Sequence, residues 1–204
     1  ATRGAEIEVI KARLAAVALM ALVAAPVSMA QAEVVTQSSA GFVIKLSADT
    51  TATQKDAWQA LITPTKWWSG EHTYTGDASN LWLDAQATGC FCEKLPKPTD
   101  APAEQRMGSV EHMHVVYADP QRGVLRMVGG LGPLQGEALH GTLTITLKPI
   151  EGGTRIEWDY VVGGYMRMDP EQIAPLVDKV LGEQLTRLVG WLAPIEVDSK
   201  PPRI

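Results

Sequence analysis

The clearest pattern in the chain is an alternation of apolar and polar residues in two segments near its end. Residues 139–147 read LHGTLTITL and residues 154–162 read TRIEWDYVV, so each segment presents one apolar face. A period of two is typical of half-buried antiparallel strands, and the intervening Glu151-Gly152-Gly153 predicts a hairpin. A stripe with the helical period follows and predicts one long C-terminal helix; it comprises Ile173, Val177, Val180, Leu181, Leu185, Leu188 and Leu192.

The preceding residues supply further strands and two short helices. Residues 41–46 read as a first strand, and Thr51 or Thr53 can cap a helix that follows it. The Thr63-Pro64 pair predicts a second short helix. Pro175 suggests that the regular part of the C-terminal helix begins there, after a capping sequence at residues 169–172. The other predicted strands occupy residues 81–84, 90–95, 109–117 and 124–128.

This order of elements predicts an α+β fold. About seven antiparallel strands form a curved sheet around the long C-terminal helix, and two short helices follow the first strand. An amphipathic helix and a half-buried sheet bury their apolar faces against each other. The curved sheet is expected to leave a cavity beside the helix, and the core of the domain is expected to span residues 41–192.

The first 32 residues differ in character from the rest. Lys11 and Arg13 precede the apolar run of residues 14–25, and small residues follow it. This pattern is typical of a secretory signal peptide, and the run is shorter than the ~20 residues of a membrane-spanning helix. We therefore expect residues 1–32 to form an upstream extension and signal peptide, and residues 33–204 to form a single exported domain, periplasmic or secreted. We expect no stable membrane span after cleavage.

Charge and motifs narrow the possible functions. The net charge of −5 is spread along the chain and offers no basic footprint for nucleic acid. No phosphate-binding loop, dinucleotide fingerprint, zincin sequence or nucleophile elbow is present. We therefore expect no cofactor and no nucleic-acid partner.

Residues 63–93 and the strand that follows hold the chemically distinctive side chains. Cys90 and Cys92 flank one residue of a predicted strand and share a face. They are either buried free thiols, an oxidised pair, or half of a metal site. A disulfide across a regular strand is awkward because the Cα atoms lie near the ~7 Å limit. His112 and His114 also share a strand face, and with the cysteines they could form a tetrahedral zinc site. Periodicity does not decide whether this face, or that of Met113 and Val115, is inward.

His72 and Glu93 are the candidates for proton transfer. His72 lies with Tyr74 in a Gly-containing segment of the kind that often forms a cavity mouth. It could serve as a general base with Glu93 as its acid partner or orienting group, or it could be an exposed loop histidine. Of the adjacent Trp67 and Trp68, we expect one to pack in the core and the other to meet the cavity or solvent.

Several segments resemble one protein family. The helix-pair sequence DAWQALITPTKWWSGEH, the strand GCFCE, the strand end VYADPQR and the strand start GTRI are similar to motifs of the SRPBCC superfamily of START-related helix-grip proteins. The nearest branch is the activator-of-heat-shock-ATPase-like one. The resemblance covers about residues 42–192 and implies the helix-grip fold. It implies functions that range from lipid and aromatic-ligand binding to polyketide cyclase, dehydratase and co-chaperone activity.

We expect an exported protein that binds a small apolar or aromatic molecule between the sheet and the C-terminal helix. Two alternatives remain: a cyclase- or dehydratase-type enzyme that uses His72 or Glu93, and a metal or redox protein. The sequence leaves open whether the protein is an enzyme, and binding without catalysis is the working expectation. The predicted ligand-binding residues are Trp67, Trp68, His72, Tyr74, Phe91, Glu93, Met113, Trp158 and Tyr160. The candidate metal ligands are Cys90, Cys92, His112 and His114.

Overall fold

The computed structural model describes residues 31–193 and shows one antiparallel sheet and a long C-terminal helix. The predicted signal peptide lies outside the described residues, except that the first strand begins at Gln31. Within residues 31–193, no helix is both long and apolar enough to cross a membrane. The elements are, in chain order, β1 Gln31–Ser38, β2 Gly41–Thr50, α1 Gln54–Leu61, β3 Leu81–Leu83, β4 Cys90–Leu95, β5 Gly108–Asp119, β6 Val124–Val128, β7 Ala138–Ile150, β8 Gly153–Tyr165 and α2 Pro170–Leu192.

The eight strands form a single open sheet in the order β1-β2-β8-β7-β6-β5-β4-β3. The predicted α+β class, the curved antiparallel sheet and the long C-terminal helix are confirmed. The α2 helix packs against β1 and β2, and α1 packs against α2 and β7. The β7–β8 hairpin is the longest pairing, and it buries the predicted faces that contain Leu143, Ile145, Trp158 and Tyr160.

Three local features differ from the predictions. The strand β1 was missed, because among residues 33–38 only Val34 is partly buried against the core and an edge strand needs little apolar alternation. The second short helix is a three-residue 3-10 turn, Pro64–Lys66, whose preceding Thr63 makes no side-chain cap. The helix α2 begins at Pro170 rather than Pro175, since Asp169 caps it by accepting a hydrogen bond from the Glu171 amide.

Two bulges in β5 decide which side chains enter the interior. Cys92 pairs with Glu111 and Phe91 pairs with Met113, so His112 is an extra residue between two consecutive pairs. Val116 is an extra residue in the pairing with β6. A bulge leaves one residue unpaired and bends the strand. As a result His112 and Met113 are both buried although they are adjacent, and Val115 is buried as well.

Candidate functional site

A cavity of about 520 Å³ lies between α2, the segment that follows the first 3-10 turn, and the loop after β6. Its wall on the helix side is apolar and continues the stripe that forms the core. Its opposite wall carries most of the polar groups. The lining residues are Trp68, Glu71, His72, Thr73, Tyr74, His112, Leu131, Gly132, Pro133, Ile173, Leu176, Val177, Val180 and Leu181.

The deepest polar group of this cavity is His112, which the β5 bulge turns inward. Its Nε2 lies 3.0 Å from Oε2 of Glu93, a β4 side chain with no exposed surface. The His112 ring lies between two aromatic rings, with ring centroids 5.0 Å from Phe91 and 5.8 Å from Tyr74. The sequence suggested His112 only as a metal ligand, so its place in the cavity was missed. No signal in the sequence marks the bulge that puts it there.

The protonation states of this pair follow from their surroundings. Burial raises the pKa of Glu93, but hydrogen bonds from Tyr74, Thr75 and His112 outweigh that effect and lower it overall. Burial lowers the pKa of His112, and the contact with Glu93 only partly offsets this. Glu93 is therefore ionised and His112 neutral at pH 7. Because an ionised carboxylate only accepts hydrogen bonds, the His112 proton is on Nε2, and Nδ1 is an acceptor.

Glu93 also holds the segment that forms the cavity mouth. The backbone N–H of Tyr74 donates to Oε2 of Glu93 at 3.0 Å, and the N–H of Thr75 donates to Oε1 at 2.8 Å. The Tyr74 hydroxyl donates to Oε1 of Gln135 at 3.2 Å, so its side chain connects the mouth to the loop after β6. Glu93 lies behind the cavity wall as an orienting group and is not among the lining residues.

A second histidine–glutamate pair lies at the same cavity. Nε2 of His72 is 3.1 Å from Oε2 of Glu183 on α2, and both side chains are partly exposed. His72 therefore has Glu183 as its partner, and the predicted pairing of His72 with Glu93 is not formed. Trp68 donates from Nε1 to the backbone oxygen of His72 at 3.0 Å, which ties this cavity-lining ring to the mouth.

The other predicted ligand-binding residues lie deeper in the core. Trp67 is buried and donates from its indole to the Ala60 oxygen at 2.8 Å. It lines a separate cavity of about 20 Å³, too small for an organic ligand. The residues of the prediction that line this small cavity are Trp67, Trp68, Phe91, Met113 and Trp158.

Tyr160 lines neither of these two cavities. Burial raises its pKa to about 12, and its hydroxyl donates to the Gly129 oxygen and accepts from the Leu131 amide. The hydroxyl therefore stays protonated at pH 7 and holds the chain just after β6. Leu131 is the first residue of that segment to line the large cavity, so Tyr160 acts on the cavity through the loop.

The zinc site predicted from Cys90, Cys92, His112 and His114 is not assembled. The bulge places His112 inside, whereas His114 stays on the outer face of the sheet with 42% of its side chain exposed. The two cysteines form a disulfide with a Cα–Cα distance of 5.5 Å. The ~7 Å expected of a regular strand does not apply, because β4 is irregular opposite the bulge.

Part of the cavity lining on the helix side was predictable from the sequence. Ile173, Val177, Val180 and Leu181 belong to the predicted apolar stripe, which was expected to bury its face against the sheet. Leu176 lies outside that stripe and is 58% exposed. An apolar residue beside the stripe is the one sequence signal that this face of α2 borders an opening.

Comparison with known proteins supports the fold. No protein-family model matches the sequence, and no curated protein matches it either. CalU16 from Micromonospora echinospora is 14% identical and has a similar structure with a TM-score of 0.50; the match covers 81% of this chain and 87% of that one. Protein MLL2253 from Mesorhizobium loti is 15% identical with a TM-score of 0.50, over 74% of this chain and 96% of that one. At these identities the likeness concerns the fold, and the fold is of the helix-grip type.

Proposed function

We propose that the protein binds a small, mostly apolar molecule that carries an aromatic ring and a hydroxyl group. The observation that carries this proposal is the 520 Å³ cavity with one buried, oriented histidine in its wall. Ligand sites typically have volumes of about 300–1,000 Å³, apolar walls and a few fixed polar groups. The rings of Trp68 and Tyr74 offer faces on which a flat ligand can stack.

The arrangement of donor and acceptor nitrogens on His112 determines which hydrogen-bonding group the ligand must carry. Its Nε2–H is used by Glu93, and Nδ1 forms no hydrogen bond within residues 31–193. Neutral His112 therefore presents an acceptor, which a phenol or enol hydroxyl satisfies and an ether does not. One such hydrogen bond is worth about 1.5 kcal/mol, which corresponds to roughly tenfold in affinity.

The ligand class is tested with two probes of similar shape. Isothermal titration calorimetry should show that 2-naphthol binds about tenfold more tightly than 2-methoxynaphthalene, which lacks the donor. Val180→Trp fills the cavity from the α2 side and should abolish binding of both. Val161→Trp is the matched control, because Val161 is 47% exposed on β8 and does not line the cavity. Equal affinity of the two probes refutes the role of His112.

The resident ligand can be sought directly. Native mass spectrometry of protein purified from its own host should show an added mass that is released on unfolding. Protein that is always empty and that also fails to bind 2-naphthol would contradict a binding function.

The two histidine–glutamate pairs favour a second candidate, an enzyme that moves protons on the bound molecule. His72 and His112 border one cavity and each has a carboxylate partner, at 3.1 and 3.0 Å. Such an arrangement allows one imidazole to remove a proton while the other returns it. The recovered ligand, incubated with the protein in D₂O, should then take up deuterium, and His72→Gln should slow the uptake. No uptake above the protein-free rate removes this candidate.

We also propose that residues 1–32 direct export to the periplasm or outside the cell. The disulfide supports this proposal, since disulfides persist in oxidising compartments. Residues 1–32 fused to alkaline phosphatase should give extracytoplasmic activity. Leu19→Arg should abolish it by interrupting the apolar run, whereas Leu19→Ile should not. Activity that survives Leu19→Arg contradicts the export proposal.

Membership of the SRPBCC superfamily, near the activator-of-heat-shock-ATPase-like branch, is a further proposal. It rests on the motifs at residues 56–72, 89–93 and 116–122. Alignment through intermediate homologues tests it: the Trp67-Trp68 and Asp119-Pro120 positions should coincide with those of that branch. An alignment in which they do not coincide contradicts the assignment.

A further inference from the structure

Four metal-binding side chains share the outer face of the β4–β5 pair, on the side of the sheet away from the cavity. Cys90 lies opposite His114, and Cys92 lies opposite Glu111. Directly opposed residues in an antiparallel pair project to the same face with Cβ atoms about 4.5–5.5 Å apart. The two cross-strand pairs therefore form a compact group of two sulfurs, one imidazole and one carboxylate.

The bulge at His112 determines the composition of this group. In an unbulged ladder that starts from the Cys90–His114 pair, Cys92 would lie opposite His112. The extra residue removes His112 to the interior and brings Glu111 into its place. The structure thus replaces the two-cysteine, two-histidine arrangement expected from the sequence with a two-cysteine, one-histidine, one-glutamate arrangement.

Three of the four donor atoms are close enough for one ion, and the fourth, on His114, lies beside the Glu111 carboxylate. The Sγ atoms of Cys90 and Cys92 and a carboxylate oxygen of Glu111 all lie within 4.8 Å of one another. Nδ1 of His114 is 3.5 Å from Oε1 of Glu111. Ligand atoms around tetrahedral zinc are about 3.3–3.8 Å apart, given bonds of ~2.0–2.3 Å. A four-coordinate site therefore requires the two sulfurs to move apart after reduction and the His114 side chain to turn toward them.

In the structure the two sulfurs are bonded to each other, so they are not available as thiolate ligands. The pair lies within reach of a reductant, because Cys90 is only half-buried and Glu111 and His114 are exposed around it. Cys92 is buried and is the less accessible sulfur. Attack by an external thiolate is therefore expected at Cys90, with Cys92 as the leaving thiolate.

We propose that reduction of the Cys90–Cys92 disulfide by a dithiol opens a zinc site with Cys90, Cys92, Glu111 and His114 as ligands. In the redox step the dithiol gives two electrons and two protons, so the protein gains two thiols and the reductant becomes a cyclic disulfide. Zinc then displaces both thiol protons, which pass to solvent. The His114 imidazole and the Glu111 carboxylate complete a four-coordinate site.

This site lies on the face of the sheet away from the cavity. It makes the outer face of the sheet responsive to redox state. The oxidised protein holds no zinc at this position, and the reduced protein exchanges its disulfide cross-link for a metal cross-link between β4 and β5. Oxidation by a disulfide releases the ion and reverses the change.

The experiment compares oxidised and reduced full-length protein. Protein reduced with dithiothreitol, then freed of it without oxygen, is titrated with Co²⁺ and with Zn²⁺ alone. The reduced form should bind one ion per chain, show a thiolate-to-cobalt charge-transfer band, and release about two protons per zinc. The oxidised form should show neither the band nor the proton release. A reduced protein without the charge-transfer band overturns the proposal.

Substitution of the two non-sulfur ligands tests the assignment further. Glu111→Gln and His114→Asn should each weaken zinc binding by about tenfold or more, since even outer-shell partners of metal ligands are worth about 10–100-fold. His140→Asn on β7 is the matched control and should bind like the parent. Circular dichroism of the metal-free variants checks that they fold. If either ligand variant binds cobalt as tightly as the parent, the four-ligand site is refuted.

Discussion

Replacement of Glu93 by glutamine tests the most important polar network of the protein. The carboxylate has no exposed surface and accepts hydrogen bonds from the amides of Tyr74 and Thr75 and from His112. Glutamine keeps one acceptor oxygen, which can serve Tyr74 and His112 at the Oε2 position. Its NH₂ group then faces the Thr75 amide, so two donors oppose each other.

The cost follows from these three contacts. Two hydrogen bonds lose their charge assistance, at about 1 kcal/mol each, and the third is broken, at about 1 kcal/mol because the mouth segment can partly reach water. We expect Glu93→Gln to lower the free energy of unfolding by about 3 kcal/mol at pH 7. Since this fold has more than 150 residues, that corresponds to a fall in Tm of roughly 6–12 °C.

Urea denaturation followed by tryptophan fluorescence measures the effect. Glu151→Gln, in the exposed β7–β8 turn, is the matched control and should change stability by less than about 0.5 kcal/mol. Folding lowers the pKa of Glu93. The ionised group therefore adds stability above its unfolded pKa of about 4.3, and that stability is lost as the pH falls through the lower folded value. The gap between the two proteins should narrow in acid. A gap below about 0.5 kcal/mol at pH 7 would refute the network as described.

Three other substitutions probe the same framework. Folding lowers the pKa of His112, so the wild-type protein should lose stability as the pH falls below about 6.5. The variant His112→Asn should lack that loss. Equal pH profiles of the two proteins in urea denaturation would contradict a buried neutral imidazole. Gly141→Ala would place a methyl group against the Gly129 oxygen and should lower the free energy of unfolding by about 1–3 kcal/mol. In the control Gly136→Ala the methyl group meets open space, and the loss should be under about 1 kcal/mol. Equal melting temperatures of the two variants would contradict the close contact at Gly141. Leu185→Ala removes a fully buried α2 side chain and should cost about 2–5 kcal/mol by chemical denaturation; a smaller loss would mean that α2 is less tightly packed than described.

Periodicity determined most of the fold. Apolar and polar residues alternate through most of residues 139–147 and 154–162, and the structure pairs these segments as β7 and β8 around the expected turn. The stripe from Ile173 to Leu192 predicted α2, and five of its seven residues are buried in the structure, namely Ile173, Val177, Leu181, Leu185 and Leu188. These elements are long, so many residues carry the same signal. The departures at β1 and at the Pro64–Lys66 turn concern an edge strand and a short element, which carry little of this signal.

The candidate site was only partly predictable. Trp68, His72 and Tyr74 are close to one another in the sequence of the mouth segment. This clustering predicted that they line the same cavity, as they do in the structure. The pairing of His72 with Glu183 joins residues more than a hundred positions apart, so no local pattern announces it. No local pattern indicates the contact of Glu93 with the amides of Tyr74 and Thr75 either. They meet only because β4 lies behind the mouth segment.

The amino-acid sequence by itself determined the fold class, because burial of apolar faces leaves few arrangements for such a succession of strands and helices. Only the tertiary structure decided the chemistry of the site. One extra residue in β5 turns His112 into the cavity, places Glu111 beside Cys92, and leaves His114 outside. Such a bulge depends on how two strands align across the sheet, and that alignment is set by packing of the whole molecule rather than by the residues of the strand itself.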